Sequence, residues 1–88
     1  MASNPVKVAV PTGAWLKIAT AVQYGVVKIL NFDAAYHFTY RLTGEAEPVT
    51  DPLDSQRCNT PEVYIYADAD IDVYVYCPDE VGSIEVAV

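Results

Sequence analysis

Residues 63–77, V-Y-I-Y-A-D-A-D-I-D-V-Y-V-Y-C, decide the fold because they alternate between two kinds of side chain on either side of an acidic stretch. Successive side chains of a β-strand point to opposite faces of the sheet, so strict alternation predicts strands. The aliphatic residues of both segments fall on one face, and the tyrosines fall on the other. We therefore predict a β-hairpin with a short acidic turn, one packed face and one face rich in tyrosine.

The tyrosine-rich face is the candidate interaction surface. Tyrosine is enriched at protein interfaces because its ring supplies a large contact area, its hydroxyl supplies a hydrogen bond, and few rotamers are lost on binding. An exposed stripe of such residues is expected to bind another protein. The predicted interface residues are Tyr64, Tyr66, Tyr74, Tyr76 and Trp15.

Alternating segments also occur outside the hairpin. Five of them, separated by turn residues such as Pro11 and Gly13, lie at 6–10, 15–19, 24–31, 35–42 and 82–88. In the segment 35–42, the side with His37, Thr39 and Arg41 is expected to face water. Helix signals are nearly absent, and evenly spaced short strands are typical of all-β folds. The prediction is one all-β domain over residues 1–88, a small antiparallel sandwich or barrel of about seven strands.

Two segments leave alternatives open. Residues 43–61 form a long loop with three prolines. A loop of this length in a small domain is either a contact arm ordered by a partner or an ordinary crossover connection. The final strand, 82–88, is either tied into the sheet of its own chain or added to the sheet of a neighbouring subunit.

Charge is distributed unevenly along the chain, which has a net charge of −7. The first 32 residues contain lysines and no acid, whereas residues 58–88 contain acids and no base. Either copies of the chain attract one another head to tail, or the early and late strands are neighbours and neutralise one another. The few scattered bases argue against nucleic acid, whose phosphates need clustered lysine or arginine.

No membrane contact or secretion is expected. Residues 1–11 lack the charged and unbroken apolar regions of a signal peptide. No apolar stretch reaches the roughly 20 residues that a spanning helix needs.

The run Asp68, Asp70 and Asp72 resembles the start of a calcium-binding loop. Its sixth position is Val73 where the EF-hand needs glycine, and its twelfth is Asp79 where a bidentate glutamate is expected, which excludes an EF-hand. A solvated acidic turn that protects a sheet edge is the preferred interpretation, with a looser surface calcium site as the alternative. We predict no metal and no cofactor.

Catalytic chemistry is not indicated. His37, the only histidine, lies within a predicted strand, and nothing in the sequence brings a carboxylate and a nucleophile beside it. Cys58 and Cys77 are predicted to be free thiols, with Cys77 acting as a small core residue, and a disulfide between them in an oxidising compartment is the alternative. The chain is therefore predicted not to be an enzyme. A carbohydrate-binding module remains an alternative, because aromatic rings stack on sugars and acids accept their hydroxyl groups.

Six segments together resemble one family of proteins. In order, W-L-K-I-A (15–19), V-V-K-I-L-N (26–31), Y-H-F-T-Y-R (36–41), the segments of 63–77 and G-S-I-E-V (82–86) resemble small virion structural proteins of tailed bacteriophages. The resemblance implies a compact β domain without an active site. The length of the 43–61 loop departs from the expected pattern and leaves the docking surface undefined.

The resemblance also implies a function. It suggests a decoration or cement protein that binds and stabilises the capsid lattice, or alternatively a collar, head-tail connector or tail ring component. The implied partners are the major capsid protein, other virion subunits and further copies of the chain. The implied location is the capsid surface, after synthesis in the host cytoplasm.

Overall fold

The computed structural model describes residues 5–31, 33–48, 58 and 60–88. The described part is all-β, as predicted, and has no helix that is long and apolar enough to cross a membrane. Its five strands are β1 (Val6–Val10), β2 (Leu16–Ile29), β3 (His37–Leu42), β4 (Glu62–Tyr76) and β5 (Gly82–Ala87). They form one antiparallel sheet in the order β1-β5-β2-β4-β3.

The predicted hairpin is wrong, because both of its arms belong to the single strand β4. Tight two-residue hairpin turns almost always contain glycine, which adopts positive φ without strain, and A-D-A-D has no glycine. The acidic stretch also keeps the alternation of the flanking segments, so the chain continues in an extended conformation. In the same way, the predicted strands 15–19 and 24–31 are parts of β2. Two such fusions reduce the predicted seven strands to five, in a single sheet.

The two long strands are irregular in the middle. Their register shifts between Lys17 and Ala19, between Ala19 and Val22, and between Val22 and Tyr24. Ala21 has a φ of 54°, a left-handed conformation that is unusual for alanine and typical of a bulge. Bulges bend strands, so this region divides the sheet into two parts.

We call these parts the four-strand half and the three-strand half. The four-strand half contains β1, β5, the end of β2 and the start of β4. The three-strand half contains the start of β2, the end of β4 and β3. Apolar residues of both halves belong to one buried cluster, including Val27 and Ile84 from the first and Val73 and Val75 from the second. The bent sheet therefore encloses a single core.

The last strand lies inside the sheet. β5 pairs with β1 on one side and with β2 on the other, and its residues Ile84 and Val86 are buried. Both of its edges are therefore occupied within the chain, as the first alternative for this segment predicted. Gly82 permits close packing at its start, because a Cβ there would lie 2.8 Å from the ring of Tyr36.

The early lysines and the late acids are neighbours across the sheet. Lys7 pairs with Glu85, Glu85 with Lys28, and Lys28 with Glu62, which gives a row of alternating charge across four strands. Opposite charges on facing positions each stabilise a sheet by about 0.2–1 kcal/mol. This arrangement supports internal neutralisation over the head-to-tail attraction of copies.

Both cysteines are free thiols, as predicted. Cys77 is fully buried in the core, and burial raises the pKa of its thiol to about 11. Most of the predicted 43–61 loop lies outside the described residues. Within its described part, Pro48 is buried and the amide of Cys58 donates to the carbonyl of Tyr36 at 2.8 Å.

Candidate functional site

The predicted tyrosine stripe is divided between two environments. Tyr64 and Tyr66 have exposed fractions of 71% and 75%, whereas those of Tyr74 and Tyr76 are 1% and 7%. The expectation of exposure is therefore confirmed for the first pair and wrong for the second.

Neighbours in the three-strand half cover the second pair. Tyr76 packs against Trp15, with ring centroids 5.2 Å apart and planes inclined by 55°. The ammonium group of Lys17 lies 5.7 Å from the centre of the Tyr74 ring. Trp15 is itself half-buried, so three of the five predicted interface residues serve mainly to pack this half. The side of β3 that was expected to face water, with His37, lies opposite Tyr76 and is also half-buried.

Asp72 of β4 forms a hydrogen bond to the bulge of β2. Its carboxylate accepts hydrogen bonds of 3.0 Å from the amide of Ala21 and from the hydroxyl of Thr43, and the ammonium of Lys17 lies 3.6 Å away. The Ala21 hydrogen bond, helped by Thr43 and Lys17, lowers the pKa of Asp72 below its usual value, although burial acts in the opposite direction. This buried acid is a structural residue.

The acidic run does not form a cation site. Asp72 is engaged as described, while Asp70 accepts a hydrogen bond of 2.9 Å from the side chain of Gln23. Within the described part of the chain, no group of three histidines, cysteines or acids is placed to hold a metal ion. The prediction of an acidic turn is wrong because these residues lie within β4, and Asp68 is exposed on that strand.

An exposed group of aromatic side chains lies on the four-strand half. We call it the tyrosine cluster, and it consists of Tyr24, Tyr64 and Tyr66. Tyr24 and Tyr66 face each other across β2 and β4, with ring centroids 5.4 Å apart in an edge-to-face arrangement. The hydroxyl of Tyr64 donates to the carboxylate of Glu62 at 2.9 Å, and this hydrogen bond raises the pKa of Tyr64.

Sequence reasoning missed one member of the cluster and the exposure of one further tyrosine. Tyr24 is 64% exposed and joins the cluster only through its register with Tyr66, which no local pattern reveals. Tyr40, on β3 and outside the cluster, is 44% exposed. The apolar side of this segment is buried at Tyr36, just before β3, and becomes exposed toward Tyr40 and Leu42, so alternation predicts the side of a residue but not how deeply it is buried.

Two open clefts flank the cluster. The larger, of about 760 Å³, is lined by residues 22–26 of β2, 64–66 of β4 and 87–88 at the end of β5. The smaller, of about 360 Å³, is lined by Tyr40, Tyr64, Ile65, Tyr66, Ala67 and Ile71. Residues 64–66 line both clefts, so the start of β4 forms a ridge between two depressions.

Gly25 shapes the floor of the larger cleft. A Cβ at this position would lie 2.5 Å from the side chain of Val88 and 3.1 Å from the carbonyl of Ala87. The absence of a side chain at Gly25 therefore allows Ala87 and Val88 to lie this close to β2.

No known family model, curated protein or solved structure matches this chain significantly. The geometry of the tyrosine cluster therefore carries the argument about function.

Proposed function

We propose that this chain is a protein-binding domain without catalytic activity, and that it attaches to its partner through the tyrosine cluster. The observation that carries the proposal is the exposed pair of Tyr24 and Tyr66, which lies beside Tyr64 between two open clefts. Contiguous exposed apolar surface on a folded domain marks interaction sites.

The physical properties of the cluster suit attachment. Tyr24, Tyr64 and Tyr66 lie on β2 and β4, so the backbone positions are fixed before binding and little entropy is lost. Tyrosine is among the residue types that dominate binding energy, and truncating one such residue at the centre of an interface commonly costs about 2 kcal/mol or more. The flanking clefts provide depressions into which partner side chains fit.

We further propose that the partner is a virion subunit and that the domain decorates and stabilises the capsid of a tailed bacteriophage. The resemblance of the strand sequences supports this assignment, and the exposed cluster supports the mode of attachment. On such a shell the major capsid protein is the partner, and repetition of a weak contact over the lattice stabilises the assembly. Alternatively, the protein is a collar, connector or tail ring component that attaches through the same surface and is present in fewer copies per virion.

Quantitative mass spectrometry of purified virions tests this assignment. On the order of hundreds of copies per particle is the result expected for decoration, and about a dozen indicates a ring component. Absence of the chain from the particle overturns the virion proposal.

Attachment to particles that lack the protein tests the tyrosine cluster. Tyr66→Ala is expected to weaken attachment at least tenfold without unfolding the domain. Val81→Ala is the matched control, because Val81 is another exposed apolar residue, after β4 and outside the cluster. Equal attachment of both variants would remove the cluster from the interface.

Carbohydrate binding is a second candidate. The observation that favours it is the exposed ring of Tyr64, held by its hydrogen bond to Glu62 beside Tyr66, since rings and carboxylates together recognise sugars. A glycan array with the purified domain tests it. Binding that is abolished by Tyr64→Ala supports the candidate, and an empty array contradicts it.

A further inference from the structure

We propose that the outer edge of β4, from Glu62 to Asp70, binds an extended lysine- or arginine-rich segment of the partner protein as an added strand. This inference rests on the proposed protein-binding function and specifies how the partner is held. In strand addition, an extended segment forms backbone hydrogen bonds along a sheet edge and places its side chains in neighbouring depressions.

The edge has no neighbouring strand among the described residues. β3 pairs with β4 only from Ile71 to Tyr76, while β4 begins at Glu62. The only backbone hydrogen bond that the described residues make to this outer edge, before β3 begins, is from the amide of Thr43 to the carbonyl of Asp70, at 3.0 Å. An unpaired row of this kind is a template for another strand.

The direction of the backbone groups follows from the pairing with β2. The carbonyl of Pro61 accepts from the amide of Ile29, so Pro61 faces β2. Because alternate residues of a strand direct their amides and carbonyls to opposite edges, Glu62, Tyr64 and Tyr66 face outward. The outward carbonyl of Asp70 agrees with this alternation. The carbonyl of Glu62 already accepts from the hydroxyl of Thr60 at 2.9 Å, so the outward donors and acceptors that the described residues leave unpaired lie mainly at Tyr64, Tyr66 and Asp68.

Side-chain sites lie on both faces of the proposed added strand. Tyr64 and Tyr66 are exposed on one face of β4. On the other, the smaller cleft contains Ile65, Ala67 and Ile71 together with Tyr40 from β3. An added strand would place alternate side chains against the tyrosines and into this cleft.

Charge selects the chemistry of the partner. Asp68 and Asp70 are exposed along the edge, whereas Glu62 already lies opposite Lys28 of β2, and neither lysine nor arginine occurs between residues 58 and 88. A second copy is disfavoured, because a symmetric pairing that places Tyr64 against Tyr66 also places Glu62 against Asp68. Like charges on facing positions destabilise a sheet, and each copy has a net charge of −7. A basic segment meets the same edge with opposite charge.

The test uses short peptides and the isotope-labelled full chain. A peptide of alternating lysine and valine is the probe, and a version with glutamate in place of lysine controls for charge. A third version, N-methylated on alternate residues, retains the charge but cannot form one set of strand hydrogen bonds. The lysine peptide is expected to bind at least tenfold more tightly than either control, with an affinity that falls as salt is added.

Amide hydrogen exchange locates the binding. The lysine peptide is expected to slow exchange about tenfold or more at Tyr64, Tyr66 and Asp68, while the amide of Val8 on β1, at the opposite edge of the sheet, serves as the internal control. Asp68→Lys is expected to weaken the lysine peptide about tenfold. Asp79→Lys is the matched control, because Asp79 is an exposed acid beyond the other end of β4 and gives the same change in net charge.

Three results would overturn the inference. They are the absence of saturable binding, equal binding of the N-methylated peptide, and protection that appears away from the β4 edge. If Tyr66→Ala still abolishes attachment to particles in any of these cases, the proposed function survives and only the added strand is wrong. If wild-type protein does not attach to particles at all, it is the virion proposal that fails.

Discussion

The two ends of β4 repeat nearly the same sequence in opposite environments. V-Y-I-Y at 63–66 and V-Y-V-Y at 73–76 both direct their aliphatic residues toward the core. The first pair of tyrosines is largely exposed, whereas the second pair is buried. Alternation thus determines which side of the sheet a residue occupies, and the neighbouring elements determine whether that side is covered.

The covering of the second end has identifiable causes. β3 lies beside β4 only there, and Trp15 and Lys17 contact Tyr76 and Tyr74 from β2. The first end has β2 on one side, and among the described residues no strand pairs with its other side. One end of the strand is therefore covered by neighbours, and the other leaves its tyrosines exposed.

Truncation of the buried tyrosine should have the largest effect on stability. Tyr74→Ala removes a ring that is 1% exposed, and such substitutions of aromatic residues typically cost about 3–5 kcal/mol. The matched variant Tyr66→Ala should lower the free energy of unfolding by only about 1 kcal/mol or less, because its ring is exposed and loses only the cross-strand contact with Tyr24. Urea unfolding of both variants measures the difference. Similar losses in the two variants would show that the ends of β4 do not differ as described.

Loss of the Asp72 carboxylate should have the next largest effect. Asp72→Ala leaves the amide of Ala21 and the hydroxyl of Thr43 without their acceptor and should lower the melting temperature by several degrees. Asp68→Asn, on the same strand but exposed, controls for the lost negative charge and should melt close to wild type. An equal decrease in both variants would assign the effect to net charge.

The Asp72 carboxylate should also make the free energy of unfolding depend on pH. The pKa of Asp72 is lower in the folded chain than in the unfolded chain, so its contribution is complete above the unfolded value of about 4. The contribution is lost as the pH falls through the folded pKa. The gap in unfolding free energy between wild type and Asp72→Asn should therefore be widest near neutral pH and should narrow below about pH 4. A constant gap would contradict this role.

The sequence was sufficient for the all-β class, for β1 and β5, and for the inward face of β4. It did not reveal that Tyr24 meets Tyr66, because that contact depends on a register between residues more than 40 positions apart. It also did not reveal the bulge at Ala21, whose left-handed conformation is supported by the distant carboxylate of Asp72. Local sequence patterns predict which face of the sheet a residue occupies. How deeply the residue is buried, and which residue it contacts, depends on neighbours that are distant in sequence.

Removal of single hydroxyl groups should give the smallest effects and the sharpest contrast. The hydroxyl of Tyr74 is buried without a hydrogen-bond partner in the described part of the chain. That of Tyr36 donates to the carbonyl of Ser83 at 3.2 Å and accepts from its amide at 2.7 Å. Tyr36→Phe should lower the unfolding free energy by about 1 kcal/mol or more, whereas Tyr74→Phe should leave it unchanged or raise it by up to about 1 kcal/mol.

Urea unfolding of the two phenylalanine variants measures this contrast. Both substitutions keep the ring and remove one oxygen from a side chain that is almost fully buried, so packing and loss of area are matched. A stability loss in Tyr74→Phe equal to that in Tyr36→Phe would mean that the Tyr74 hydroxyl has a partner after all. A gain in unfolding free energy would show that the ring of Tyr74 stabilises the covered end of β4 and that its hydroxyl does not. At the exposed end, by contrast, the hydroxyl of Tyr64 has a partner in the carboxylate of Glu62.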